Sequence, residues 1–338
     1  LILLRCQSPN TMPLSTAIFS IESDAEFEAL ALQVFQRQAV ANPVYAQYLA
    51  HIGCSIKHIK QLKEIPFLPV ELFKNHIVSC YPANEHAIVF SSSGTTNTQQ
   101  SQHFVKNVGL YIESCRSGFA HFYGNIADYC VLALLPAYLE RQGSSLVYMA
   151  ADFIEHSKHH SSNFYLYDYQ TLAVTLEALQ RQKQKTLLLG VSFALWDFAE
   201  QFPMDLSGVY IMETGGMKGR RPEITRGALH QILKNAFKVS AIHSEYGMTE
   251  MLSQAYSQGE GVFRCPPWLR VLVRETNDPF SWTEEAQTGA ICVIDLANWH
   301  SCSFLALSDL GKTYSDGSFE ILGRMDYSDM RGCNLMVE

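Results

Sequence analysis

From residue 129 to residue 243 short apolar runs alternate with amphipathic stretches, and this rhythm leaves few architectures open to the chain. YCVLALLP (129–136), TLLLGV (186–191), GVYIM (208–212) and residues 238–243 read as strands buried on both faces, the first closed by Pro136. Between and around them, residues 142–155, 169–183, 192–201 and 222–236 carry apolar side chains at helical spacing. Strands separated by helices imply a parallel sheet covered by helices, with ligands outside the carboxyl ends of the strands. Upstream, Ser23 to Glu26 forms a capping box ahead of Phe27, Leu30, Ala31, Val34 and Phe35, so a helix is expected up to Asn42-Pro43. A short helix then runs to Gly53, IPFLPVELFK is expected as an extended connector, and residues 107–122 as a further helix. Beyond residue 255 shorter alternating segments near 270–274, 290–296, 304–308 and 318–322 lie between Gly, Asp and Pro turns, a β texture. The expected division is an N-terminal extension over 1–19, an α/β region over 20–254 and a β-rich portion over 255–338.

With 338 residues, 47% of them hydrophobic, the chain is long enough for one large core or two joined ones. Its net charge of −8 argues against a nucleic-acid surface, which needs clustered Lys and Arg in excess. Small molecules or proteins are the expected partners. Nine cysteines with no C-x-x-C read as reduced thiols, so a cytoplasmic setting is expected. Nothing approaches the ~18 uninterrupted apolar residues of a membrane span, and the apolar start of LILLRCQSPNTM is too short for a signal peptide.

Five stretches could carry chemistry. In IVFSSSGTTNTQQSQH (88–103) an apolar run stops at hydroxyls around Gly94, whose freedom to take positive φ lets backbone amides and the side chains of Ser92, Ser93, Thr95 and Thr96 converge on an anion. The second glycine and the lysine of a Walker loop are absent, and a solvated linker would read the same way. Gly215 and Gly216 follow a strand and precede a helix expected from Pro222, with Lys218, Arg220 and Arg221 between; this is either a ligand-facing turn or a solvated basic one. In HSEYGMTE (243–250), Tyr246 offers a flat face, Thr249 a hydroxyl and Glu250 a carboxylate suited to Mg²⁺, although each is as readily structural. LSDLG (307–311) presents Asp309, able to accept from a ribose diol, and GRMDYSDMRG (323–332) presents Arg324; both also suit ordinary turns. His156, His159 and His160 lack a clear carboxylate or cysteine partner and do not make a metal site.

The order of these motifs resembles the core motifs of the adenylate-forming (acyl-activating) ligase superfamily. SQHFV, LLPAYLERQGSSLVYM, ETGGMKGRR, HSEYGMTEMLSQAY and RGCNLMVE further resemble the acyl-protein synthetase (LuxE) family, over nearly everything from about residue 20 onward. The resemblance implies an α/β fold, the large N-terminal domain of such a ligase with a β-rich C-terminal portion and without the mobile C-terminal lid. It implies ATP-dependent activation of a carboxylic acid, a fatty acid in the LuxE family, to acyl-AMP, followed by transfer to a cysteine thiol. Ser92, Ser93, Gly94, Thr95 and Thr96 would then hold the ATP phosphates, Gly215 and Gly216 line the adenine and Tyr246 stack on it. Thr249 would touch the α-phosphate, Glu250 hold Mg²⁺, and Asp309 bind the ribose beside Arg324. The usual loop lysine is missing, the first being Lys106, so Lys218 or Arg220 is expected to supply its charge. Cys333 is the expected acyl carrier, with Arg331 nearby to favour the thiolate. An acyl-accepting protein, such as a reductase or carrier, is the expected partner. Two alternatives stay open: direct transfer of the acyl group to such a partner, and a non-catalytic nucleotide-binding subunit of a reductase or transferase.

Overall fold

The computed structural model describes residues 14–92, 99–136, 143–217 and 219–325. The first described elements are helices α1 (Leu14–Phe19), α2 (Asp24–Ala41) and α3 (Pro43–His51). Ser23 caps α2 by accepting from Glu26 N, and Asn42 caps α3 by accepting from Val44 N and Tyr45 N, with Pro43 in the first turn where its missing N–H costs nothing. The expected extended connector is only partly extended: strand β1 (Leu68–Pro69) passes into a 3-10 turn, Val70–Lys74. β2 (Ile88–Ser91) and β3 (Gln102–Val105) pair antiparallel as a separate hairpin.

The α/β rhythm follows as α4 (Val108–Tyr123), β4 (Cys130–Leu134), α5 (Ser145–Ser157), β5 (Asn163–Phe164), α6 (Tyr169–Arg181), β6 (Thr186–Val191), α7 (Ser192–Gln201), β7 (Val209–Thr214), α8 (Arg226–Phe237) and β8 (His243–Tyr246). β5, β4, β6, β7 and β8 lie side by side, all parallel. From β5 onward the chain steps across the sheet in one direction, so right-handed crossovers place α6, α7 and α8 on one face. Phe198 of α7 accordingly packs on Tyr169 of α6 and Phe237 of α8. The step from β4 to β5 runs the other way and puts α5, which packs against α4, on the opposite face. Every residue of β4 and of β6 is buried, as strands covered on both faces require.

β9 (Ala255–Ser257), β10 (Val262–Arg264), β11 (Leu269–Arg274), β12 (Gly289–Asp295), β13 (Phe304–Thr313) and β14 (Phe319–Arg324) extend the same sheet antiparallel from β8, in the order β8-β9-β10-β14-β13-β12-β11. β1 adds to β13 in parallel. The sheet is continuous across residue 254. Two elements depart from expectation. α8 begins at Arg226, where the Thr225 hydroxyl accepts from Ala228 N, and Pro222 lies ahead of it. The strand expected over 238–243 is instead His243–Tyr246, because Lys238 closes α8 in the left-handed conformation and 239–242 are spent as an unpaired connector. No helix among the described residues is long and apolar enough to cross a membrane.

Candidate active site

The carboxyl end of β8 is the seam between the parallel and antiparallel halves of the sheet, and the candidate residues gather around it. Asp309 on β13 stands opposite Arg324 on β14 in the strand register. Tyr246 Oη donates to Asp309 Oδ2 at 2.7 Å, and Arg324 Nε to Asp309 Oδ1 at 3.3 Å. The ring of Tyr246 meets Phe263 and Phe319 edge-on, with centroids 6.0 and 6.2 Å away. Burial pushes the Tyr246 phenol well above its ordinary pKa, and the Asp309 carboxylate adds to this, so the phenol stays a proton donor. The Asp309 side chain is 10% exposed and that of Arg324 78%, which puts the carboxylate inside and the cation at the mouth.

The β2–β3 hairpin approaches from the side. At its stem Ser92 N donates to Ser101 O at 3.0 Å, and Ser101 N to Ser92 Oγ at 2.9 Å. Ser93, Gly94, Thr95 and Thr96 lie outside the described residues, as do Lys218, Arg331 and Cys333. One turn of hairpin further, His103 Nδ1 donates to the carbonyl of Thr249 at 2.8 Å, tying the hairpin to the TE segment. Since a carbonyl only accepts, the ring proton sits on Nδ1. Burial holds the His103 pKa down to about 4, so the ring is neutral. Asn298 Nδ2 donates to Glu250 O at 2.8 Å and fixes the other side of the same segment.

Glu250 is buried, and burial raises its carboxyl above the ordinary range while the Ser101 hydroxyl and the charge of Arg324 pull the other way. Glu71 pushes it further up. Arg324 also acts on Tyr246. One guanidinium therefore lies within electrostatic reach of the YGMTE and SDLG segments together. Sequence reasoning missed Glu71, whose carboxylate accepts from Ser308 Oγ; nothing local marks it, because β1 pairing with β13 is what carries its turn there.

The glycine turn adjoins through α8. Gly215 has φ +70°, a backbone that favours glycine, and its carbonyl lies 3.0 Å from Ser192 Oγ. At Gly216 nothing among the described residues lies within 4 Å of where a Cβ would stand, so the backbone there is open. Arg226, also missed from sequence, bonds Glu213 at 3.1 Å, stacks over Phe263 at 4.9 Å and acts on the Tyr246 phenol. Arg221 is engaged by Asp197 and Glu200, both at 2.6 Å. Arg220 is exposed, its guanidinium 5.1 Å from the centre of the Phe193 ring. His156 belongs to a different cluster, with Asp152 and Arg116, and His159 stacks on His160. Among the described residues no three His, Cys, Asp or Glu side chains come together as metal ligands.

A run of parallel strands covered on both faces, continued antiparallel through β8, is the architecture of the large domain of adenylate-forming ligases. Among solved structures, a 2-hydroxyisobutyryl-CoA ligase, in an open conformation with 2-HIB-AMP and CoA, is similar at 14% identity over 95% of this chain and 75% of its own, with a TM-score of 0.64. ATP-bound MatB from Rhodopseudomonas palustris is similar at 15% identity over 72% of this chain and 49% of its own, with a TM-score of 0.55. The chain thus spans three quarters of the length of the first and about half of the second. At such identities the likeness establishes the fold. No family model matches the sequence, and no curated protein does.

Proposed function

We propose that the protein activates a carboxylic acid with ATP. The substrate carboxylate attacks the α-phosphorus, an acyl–O–P bond forms, the bond to the bridging oxygen breaks, and acyl-AMP and pyrophosphate result. The observation that carries this reading is the hydrogen-bonded group of Tyr246, Asp309 and Arg324 at the end of β8, with Glu250 on the segment that follows Tyr246 and within reach of the Arg324 charge. Asp309 keeps lone pairs free beyond those used by Tyr246 and Arg324, and these accept the ribose hydroxyls. The adenine lies along Gly215 and Gly216, a placement that the open backbone at Gly216 supports, and Tyr246 stacks on it. Residues 92–96 hold the phosphates, and Thr249, its carbonyl fixed by His103, presents its hydroxyl to the α-phosphate.

Glu250 fits a hard cation: it is a carboxylate only 5% exposed, and Mg²⁺ commonly takes one or two protein carboxylates with substrate phosphates making up the rest. Bound there, Mg²⁺ would supply charge neutralisation for the phosphates. The protein adds its own: Arg324 at the mouth, and Lys218 or Arg220 at the basic turn in place of the missing loop lysine. Fixed donors and cations of this kind act without reorganising as charge builds.

The resemblance to the acyl-protein synthetases extends the reading to a fatty acid and to Cys333 as acceptor; the 2-HIB-AMP held by the similar 2-hydroxyisobutyryl-CoA ligase supports the adenylation step alone. The Cys333 thiolate attacks the acyl carbonyl, a C–S bond forms, the C–O bond to phosphate breaks, AMP leaves with that oxygen, and the thiol proton passes to solvent. An acyl-accepting protein then takes the group. Acid-dependent ATP/pyrophosphate exchange tests the first step; ATP binding without exchange for any acid overturns it in favour of a nucleotide-binding subunit. A hydroxylamine-labile acyl label that disappears in Cys333→Ser while exchange persists supports the second, and an unchanged label assigns the acceptor elsewhere.

A further inference from the structure

On the face of the sheet that carries α4, opposite the Asp309 side, three adjacent strands bring polar side chains together. Glu213 pairs with Ser244 in the parallel ladder, so Thr214 and Glu245 are neighbours one step further along, and Glu245 stands opposite Tyr256 in the antiparallel one. Thr214 Oγ1 donates to Glu245 Oε2. The other carboxylate oxygen, Oε1, lies only 2.6 Å from where a Cβ at position 247 would stand, so Gly247 alone leaves it space at the strand end. Gln254 and Tyr256 are 4% and 1% exposed, yet Gln254 Oε1 and Tyr256 Oη have no hydrogen-bond partner among the described residues. Tyr111 and Cys115 of α4 close the cluster from above, where the Glu245 charge acts on both of them and on Tyr256.

An unmet buried polar atom costs about 1–3 kcal/mol, so native proteins seldom leave one without protein, water or ligand. Here two such atoms belong to residues around Glu245, whose carboxylate accepts, among the described residues, the one hydrogen bond from Thr214 at Oε2. With Glu245 ionised, the carboxylate and the amide oxygen accept only and the phenol can do either; with Glu245 protonated, its one O–H serves at most one of the other two. Their complement is a donor, and an alkyl chain would leave all three unmet. We propose that this cluster selects the acid, receiving an acyl part that bears a hydroxyl or ammonium group hydrogen-bonded by Glu245, Gln254 and Tyr256. The inference rests on the adenylation reading and narrows it: a chain bearing a donor is preferred, in place of the plain fatty acyl chain that the resemblance alone suggests. Its placement suits that role, because Glu245 immediately precedes Tyr246 and the two point to opposite faces of β8 at its carboxyl end. Nucleotide and acid then approach one strand end from two sides. Burial, with the Glu213 charge adding to it and Thr214 opposing, pushes Glu245 up to about 7, so its carboxylate has most to gain from a donor.

The test is ATP/pyrophosphate exchange with three acids of equal chain length: an unsubstituted alkanoate, a hydroxyalkanoate and an aminoalkanoate. Wild type should favour a donor-bearing acid over the alkanoate by at least ~100-fold in kcat/KM, as sites built to hydrogen-bond a substrate group do. Preference for the amino or the hydroxyl acid identifies the donor. Tyr256→Phe, which keeps the ring, should narrow that ratio about tenfold, and Glu245→Gln should narrow it most for the amino acid. An alkanoate used as well as both others, or a ratio unchanged in both variants, overturns the proposal. If no acid supports exchange, the adenylation reading fails; calorimetric titration of the same acids then decides the cluster, tighter binding of a donor-bearing acid keeping it and equal binding removing it.

Discussion

Replacing Glu245 by glutamine should make the fold more stable at high pH and leave it nearly unchanged at low pH. The carboxyl has an ordinary value of 4.5 and is held at about 7, chiefly by burial. Between those values the folded protein keeps a proton that the unfolded chain has released, so stability falls as pH rises through the window and the loss is complete above 7. At about 1.4 kcal/mol per pH unit the window amounts to ~3 kcal/mol. Glutamine removes the titration and keeps an oxygen for the Thr214 hydroxyl. Glu213 beside it behaves oppositely: burial raises it, but the His230 hydrogen bond and the Arg226 charge outweigh burial and hold it below the ordinary range. It remains in the variant and largely cancels from the comparison. Urea unfolding followed by tryptophan fluorescence at pH 5 and pH 8 measures the effect: the variant should gain up to ~3 kcal/mol over wild type at pH 8 and little at pH 5. An equal difference at the two pH values would refute the assignment of a buried, proton-holding carboxyl.

Asp309→Asn should weaken ATP binding about tenfold or more, since a charged acceptor to Tyr246, Arg324 and the ribose becomes a neutral one; a nucleotide titration monitored by calorimetry reads this directly. Lys218→Ala should reduce exchange by about 100-fold if that lysine supplies the missing phosphate charge, and full exchange in the variant moves the role to Arg220. Gly311→Ala should destabilise the fold by about 1–3 kcal/mol, measured as a lowered urea midpoint, because its Cβ would stand 2.4 Å from the Glu320 carbonyl across the β13–β14 ladder.

The parallel half of the fold was legible because burial on both faces writes itself as unbroken apolar runs: Cys130–Leu134 and Thr186–Val191 lie where those runs do. β8 escaped the same logic. Its Ser244 and Glu245 are buried polar residues facing α8 and α4, so the apolar signal ends before the strand begins and the expectation fell on 238–243. The large ligase-type domain could be read from the order of five motifs, and the sheet has that architecture. Local sequence could not show Glu71, which arrives through a pairing 237 residues apart, nor Arg226, a polar helix residue until Glu213, Phe263 and Tyr246 surround it.

Continuity of the sheet from β7 through β8, β9, β10 and β14 to β13 has a thermodynamic consequence for a ligand at Tyr246, Asp309 and Arg324. These three sit on strands locked in a common ladder, so the entropy of bringing them into register is lost when the protein folds, well before any nucleotide arrives. Ligand affinity at that edge is then free of an ordering cost in the backbone, and any order in which ligands must arrive is set outside this fixed platform.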